Sequence, residues 1–570
     1  MLEMTLSTRF EPGTNLSGNL ARADWRYLLP SLELSRLLCI GIPAPETLAV
    51  LGTIAREMLV AEPDAQRLKM IATAAQELGV ENLSNISAGH FSTLDLPEQS
   101  LDLIYVTRRM TAALLADPKL IAKCQRSLKP DAHLYLEISG QSQKRRFRQI
   151  FAKNTGFQET ARFWLTPFSG ELRTAVPVND RDASAYFFKN VLFGQSFKKR
   201  SLSQIGGLLS QTGWIDTVMP RHAVLLSPKN SKTELPFSPP LFLQEIAQKA
   251  GFSLSKYRFA LSARGKYNSN KVIFFLFNRE TDQVEIVIKM TRSPEYNARL
   301  ENEFRMLKHL KDNNLAEAGT YPEPFFFDYH NNLAVIAIRA VYGAPFRVKT
   351  TAKPDCPVAA DAANWLATLG KRSANVDAAS AGDAANALQQ LFEQFQQTYS
   401  LPDDEAGFLA NAIAQIADST APFPTVFQHG DPGTWNMLVN DANRVIVIDW
   451  ESGEPQGMPM WDLFYFYRTF ASWVARQSGE NDPQKNFAAH FLLDSPINRL
   501  MAAQFHHFAA EIQLDPALIR PLFYTCWMHR ALKESMRLSP EQMAGGTFVN
   551  ILRLCIREKS APGLQAIFGQ

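Results

Sequence analysis

The sequence predicts a multidomain α/β plus α+β chain: a doubly wound sheet first, then a strand-rich region, then a mostly helical one. Three observations carry this expectation. Short apolar runs alternate with helical segments through residues 21–228. A proline-rich polar stretch, Pro228 to Pro240 (PKNSKTELPFSPP), then breaks the pattern. Beyond it, strands cluster before Gly343 and helical spacing dominates after Ala344. A length of 570 residues also exceeds one ordinary core. The expected division is a tail at 1–20, a first domain at 21–228, a linker at 229–240, a strand-rich lobe at 241–343 and a helical lobe at 344–570.

Each element has its own justification. Arg36–Gly41 (RLLCIG), Glu57–Glu62 (EMLVAE), Asp102–Thr107 (DLIYVT) and His133–Ile138 (HLYLEI) are near-continuous apolar runs of strand length. That pattern marks strands buried on both faces of a parallel sheet. Lys271–Phe277 (KVIFFLF) and Val284–Lys289 (VEIVIK) flank a polar turn and form a hairpin, and Leu333–Ile338 (LAVIAI) is a further strand. Leu300–Leu310 (LENEFRMLKHL) spaces its apolar residues as a helix does. The Ala-rich stretch from Ala374 to Ala387 is expected to be a loop leading into a helix.

Composition excludes several classes. A net charge of +3 gives no electrostatic case for nucleic acid or a membrane surface. The basic runs Lys144–Arg148 and Lys198–Arg200 are short enough to be solvated faces. Five scattered cysteines form no CxxC pairing, which argues against a zinc site or a disulfide framework. No apolar run approaches a bilayer span, and Met1 to Asn19 lacks the apolar core of a signal peptide. The expectation is a cytoplasmic, soluble protein.

The chemistry concentrates in Phe427 to Glu451, which reads FQHGDPGTWNMLVNDANRVIVIDWE. His429, Gly430 and Asp431 precede Asn436 by a few residues, and the apolar run Val445 to Ile448 then delivers Asp449. A base, an amide ligand and a carboxylate ligand in this order suit phosphoryl transfer from ATP with Mg²⁺, a hard cation that takes oxygen ligands. Upstream, Lys289 ends a strand and can neutralise phosphates, and Glu303 on the next helix can orient it.

From about Phe252 to Gln570 the chain resembles the aminoglycoside phosphotransferase and choline kinase family, with its bilobal kinase-like fold. The resemblance rests on HGDPGTWN, IDWE, the Lys289/Glu303 pair, MPMWDL at Met458 to Leu463 and NWLATL at Asn364 to Leu369. It implies ATP-dependent phosphorylation of a hydroxyl on a small molecule or sugar. It also implies Asp431 as base, Asn436 and Asp449 as metal ligands, and a mainly structural role for His429 in supporting the loop. Asp462 matches an acidic position of the family. One departure is the loop Ser262 to Asn270 (SARGKYNSN), which has Gly265 but no GxGxxG. Gly265, Ser269 and Asn270 are the candidate phosphate contacts there, with an ordinary polar hairpin tip as the other reading. Trp461, Phe464, Tyr467, Trp473 and Phe523 to Trp527 suit either an acceptor pocket or a helical core.

Residues 21–228 resemble a class I S-adenosylmethionine-dependent methyltransferase with a Rossmann-like sheet. TLDLPEQSLDLIYV (Thr93 to Val106), CQRSLKPDAHLYLEI (Cys124 to Ile138), Thr155 to Phe157 and Gly213–Trp214 carry it. The resemblance places Gly41 in the cofactor loop and Glu62 on the ribose hydroxyls. The loop itself departs: Cys39 to Pro45 reads CIGIPAP, with only Gly41 retained. Proline has no N–H and fixes φ, so close backbone approach to a cofactor is hindered. A scaffold or regulatory domain is the favoured reading, and S-adenosylmethionine binding the alternative.

The whole-chain expectation is an ATP- and Mg²⁺-dependent kinase of a small-molecule or sugar hydroxyl carrying a methyltransferase-like domain. Its competitors are a nucleotide-binding pseudokinase and a bifunctional kinase–methyltransferase in glycan modification.

Overall fold

The apolar runs of the first 340 residues assemble into one 13-stranded sheet, in a computed structural model that describes residues 20–87, 96–151, 156–166, 172–178, 180–188, 197–212, 214, 218–229, 239–263 and 271–569. Thirteen strands contribute: β1 (Leu34–Ile40), β2 (Ala55–Glu62), β3 (Leu83–Ser87), β4 (Leu101–Val106), β5 (Leu128–Ser139), β6 (Phe157–Thr166), β7 (Thr174–Pro177), β8 (Arg221–Pro228), β9 (Tyr257–Ser262), β10 (Lys271–Asn278), β11 (Val284–Thr291), β12 (Pro324–His330) and β13 (Leu333–Arg339). Their order is β12-β13-β11-β10-β9-β7-β6-β8-β5-β4-β1-β2-β3.

The first five strands pair in parallel in the order β3-β2-β1-β4-β5, reversing direction of progression at β1/β4. This is the doubly wound arrangement, with its switch point at the carboxyl ends of β1 and β4. Helices Ala65–Glu77 and Pro118–Ser127 connect these strands, capped by Asp64 and Asp117, whose carboxylates each accept two backbone N–H bonds. β8 and β6 close this half in antiparallel pairing.

The two strand-rich regions share this sheet because β7 pairs antiparallel with β9, Thr174 opposite Ser262 and Ala175 opposite Leu261. The segment Leu20–Leu28 ties them further. Trp25 stacks on Tyr105 and Tyr135 at 4.2 and 4.5 Å, while the Tyr27 hydroxyl donates to the Thr291 carbonyl at 2.9 Å. Arg292 forms a fork on Asp24, with Nε to Oδ1 at 2.9 Å and Nη2 to Oδ2 at 2.7 Å, both residues being fully buried. A buried pair of this kind is tolerated because each charge is matched and hydrogen-bonded.

The described chain forms two compact units: the sheet unit, 20–297 and 325–338, and a helical unit, 298–324 and 339–569. The helix Asn297–Asp312 therefore goes, but for its first residue, with the helical unit rather than with the strands that flank it. Asn302 supplies the reason, donating to the Glu451 and Gly453 carbonyls at 3.1 and 2.9 Å. Long helices dominate this unit: Pro357–Ser373, Ala381–Thr398, Asp403–Ala417, Trp461–Gln477, Pro496–Glu511, Ile519–Ser535 and Thr547–Arg557. The Ala-rich stretch is a loop until Ser380 and Asp383 form a capping box that starts the helix at Ala381. Short antiparallel strands, Met437–Val439 with Val445–Val447 and Val426–Gln428 with Glu454–Gly457, frame the HGD motif.

Most of the expected linker, residues 230–238, and nearly all of the expected N-terminal tail lie outside the described residues. Among the described residues no helix is long and apolar enough to cross a membrane.

Candidate active site

The loop after strand Val426–Gln428 is held by its own backbone and by one carboxylate. Asp462 sits in the first turn of helix Trp461–Gln477 and accepts from the His429 amide at 2.6 Å and the Gly430 amide at 3.0 Å. Burial pushes the Asp462 carboxyl up, and His429 with the two amides opposes that rise. Gly430 has φ +76°, and a Cβ there would lie 2.0 Å from the Ser452 carbonyl oxygen. Only glycine fits this close approach.

His429 is fully buried and lies tilted against Trp450, ring centroids 4.6 Å apart. Its Nδ1 accepts the Asp431 amide at 3.2 Å, so its Nε2 is the donor to the Ile448 carbonyl at 2.9 Å. The imidazole therefore binds the two halves of the motif together.

Asp431 is the most heavily contacted carboxylate of the loop. Arg530 Nη2 donates to its Oδ1 at 2.8 Å and Arg530 Nη1 to the Gly430 carbonyl at 2.8 Å. Asn436 Nδ2 reaches its Oδ2 at 3.1 Å and its carbonyl at 3.0 Å. Trp435 Nε1 approaches Oδ2 at 3.4 Å, and the Tyr465 hydroxyl also bonds this carboxylate. Burial pushes Tyr465 up to about 12, so it stays a phenol and a donor. The Arg530 guanidinium lies 3.4 Å from the centre of the Tyr465 ring.

Asp449 adopts φ +71°, a left-handed conformation rare for a residue with a side chain. Such strain persists where the surroundings enforce it, and it collects at functional sites. Here Trp450, buried and bonded through Nε1 to the Val447 carbonyl, fixes the following residue. Carboxylate oxygens of Glu303, Asp449 and Glu451 all lie within 4.8 Å of one another. Three hard oxygen donors at that spacing fit a small divalent cation such as Mg²⁺.

The helical unit thus brings His429, Asp431, Asn436, Asp449 and Glu303 into one region. Lys289 lies in the sheet unit, buried on β11. Gly265, Ser269 and Asn270 lie outside the described residues.

At the N-terminal switch point Gly41 has φ +85°, and a Cβ on it would meet Met110 Cγ and Thr107 Oγ1 at 2.4 Å. Glu62 is buried and faces Arg67 Nη1 at 3.5 Å.

Sequence reasoning missed Arg530, Tyr465 and Glu451. Arg530 and Lys533 were visible as charges at i, i+3 on the otherwise apolar run LFYTCWMHRALK. Glu451 closes the IDWE motif two residues after Asp449. The aromatic residues weighed for a pocket are core: Trp461, Phe464, Tyr467, Trp473, Phe523 and Trp527 are all buried.

Residues 266–497 match the model of the phosphotransferase enzyme family (APH). No curated protein matches the chain. Among solved structures, an aminoglycoside phosphotransferase from Streptomyces rimosus, in complex with ADP and streptomycin, is 16% identical. That match covers 47% of this chain and 91% of the relative, with a TM-score of 0.28. A SAM-dependent methyltransferase from Aquifex aeolicus is 15% identical, covering 26% of this chain and 90% of its own, with a TM-score of 0.21. The N-methyltransferase NodS from Bradyrhizobium japonicum, in complex with S-adenosyl-L-homocysteine, is 15% identical over 37% of this chain and 85% of its own, with a TM-score of 0.22.

Proposed function

We propose that the chain is an ATP- and Mg²⁺-dependent phosphotransferase acting on a hydroxyl of a small molecule or sugar. The observation that carries this reading is the loop around Asp431, braced by Asp462, His429, Arg530 and Asn436, inside the segment that matches the phosphotransferase family. In this reading Asp431 orients the acceptor hydroxyl and takes its proton. Arg530 and Tyr465 fix the carboxylate so that little reorganisation is needed at reaction. Asn436 spends its amide nitrogen on Asp431, which leaves its oxygen for a metal. Asp449, with Glu451 and Glu303 beside it, supplies the carboxylates. Mg²⁺ bound there supplies charge neutralisation for phosphate oxygens. Lys289 is the residue proposed for phosphate, with Gly265, Ser269 and Asn270 the loop contacts. The N-terminal domain is non-catalytic, a reading supported by the prolines of Cys39–Pro45 and by the Met110 and Thr107 side chains against Gly41.

The test is transfer of labelled phosphate from ATP over a panel of sugars, amino alcohols and nucleosides. Asp431→Asn and Asp449→Asn are expected to abolish transfer in protein that remains folded, which circular dichroism would check. Wild-type turnover in either variant would overturn the assignment.

A further inference from the structure

The surroundings of Asp431 hold more positive charge than the reaction uses. Arg530 has its carboxylate partner in Asp431. Arg468, one helical turn beyond Tyr465 and half-buried, has none. Its Nε is shut off from solvent and bonds nothing, and among the described residues Arg468 makes neither a hydrogen bond nor an ion pair. Its guanidinium lies 4.8 Å from the centre of the Phe548 ring. A buried N–H left without an acceptor is costly, and the Nε of Arg468 is such a donor.

Arg347 approaches from the other side of the loop. Its Nε donates to Thr434 Oγ1 at 2.8 Å, and its guanidinium lies 5.7 Å from the Trp435 ring. It forms no ion pair among the described residues. Trp435, the neighbour of Asp431 on this side, keeps 49% of its surface exposed. Trp435 packs edge-on against Tyr465, ring centroids 6.2 Å apart, and Arg468 follows Tyr465 by one helical turn, so the two arginines flank the same pair of rings; burial lowers Arg347 to about 10, and the charges of Arg476 and Arg468 add to the effect. Arg476 is exposed and also lacks a carboxylate partner among the described residues. Glu534 partly offsets the charge of Arg468 without bonding it, its Oε2 accepting the Phe548 amide at 2.8 Å.

We infer that the phosphate acceptor carries an anionic group, a carboxylate or a phosphate ester, held by Arg347 and Arg468 beside the exposed face of Trp435. The inference rests on the phosphotransferase reading for where the hydroxyl goes, and for the charge on two arginines that form no ion pair among the described residues. A planar guanidinium pairs both anions through parallel N–H bonds. An indole face left open beside them suits the apolar face of a sugar ring. A cationic acceptor meets repulsion from the same three side chains.

Calorimetric binding of glucose, glucosamine, glucuronic acid and glucose 6-phosphate to the full chain tests this without requiring turnover. At least one anionic probe is expected to bind roughly tenfold or more tightly than glucose, as a charge-assisted contact provides, with glucosamine no better than glucose. Preference for glucuronic acid identifies a carboxylate, and preference for glucose 6-phosphate identifies a phosphate. Arg468→Gln is expected to remove the preference, and Arg347→Gln serves as the second variant should the first not fold. Equal binding of glucose or glucosamine, no binding of any probe, or a preference that survives both variants would overturn the inference. Anion preference without any ATP-dependent transfer would instead sink the phosphotransferase reading and leave the anion site standing.

Discussion

Asp462→Asn isolates what one carboxylate does for the catalytic loop. Asp462 accepts two backbone amides, His429 at 2.6 Å and Gly430 at 3.0 Å. Hydrogen bonds to an ionised acceptor contribute roughly 1.5–3 kcal/mol each, and a buried donor left unmatched costs about 1–3 kcal/mol. Asparagine keeps one acceptor oxygen and turns its NH₂ toward the other amide, so one bond is lost and two donors face each other. The expected cost is about 2–4 kcal/mol. At about 2–4 °C per kcal/mol for a unit of this size class, the melting temperature should fall by roughly 4–16 °C. The assay is a thermal melt of the full chain, followed by phosphate transfer on the folded variant. Burial pushes this carboxyl up, and a protonated Asp462 is nearly isosteric with asparagine. A shift under about 1 °C with unchanged transfer would therefore refute the claim that an ionised carboxylate holds the loop.

Three further outcomes follow from the same geometry. Gly430→Ala forces a side chain into φ +76° with its Cβ 2.0 Å from the Ser452 carbonyl oxygen; the conformational term alone is about 1–2 kcal/mol, and a loop displaced by about 1 Å should lower transfer roughly 100-fold, which steady-state kinetics would show. His133, lowered to about 4, His222, lowered to about 3, and His529, lowered well below 6.5, all stay neutral in the fold through burial. The unfolded chain alone takes up these protons as pH falls below 6.5, so stability is full above that value and declines toward about pH 4 by about 1.4 kcal/mol per pH unit per histidine; denaturant titrations at pH 7, 6 and 5 should show a slope that His133→Gln reduces by that amount. Arg292→Met removes the fork on the buried Asp24 carboxylate and is expected to cost about 3–5 kcal/mol, and adding Asp24→Leu should recover much of the loss, because a matched apolar pair needs no counter-charge; equal denaturation midpoints for the single and double variants would contradict this.

Much of the fold was legible because it is local. The strands at Leu34–Ile40, Ala55–Glu62, Leu101–Val106 and Lys271–Asn278 lie where continuous apolar runs placed them, within a few residues. The HGD and IDWE motifs were legible for a related reason: their residues are neighbours in sequence, joined through hydrogen bonds of short span such as Asn436 to Asp431. Arg530 was not, since it reaches Asp431 from 99 residues away, and its charge only became informative once helix Ile519–Ser535 was seen to be buried.

By itself the sequence determined the parallel strands and the segment that matches the phosphotransferase family, because each is written in a short window of residue type and period. Tertiary structure alone decided that β7 pairs with β9 to make one sheet of two strand-rich regions and that Glu303 stands with Asp449. These are contacts between residues far apart in the chain, set by packing, and no local pattern encodes the distance at which two such side chains come to rest.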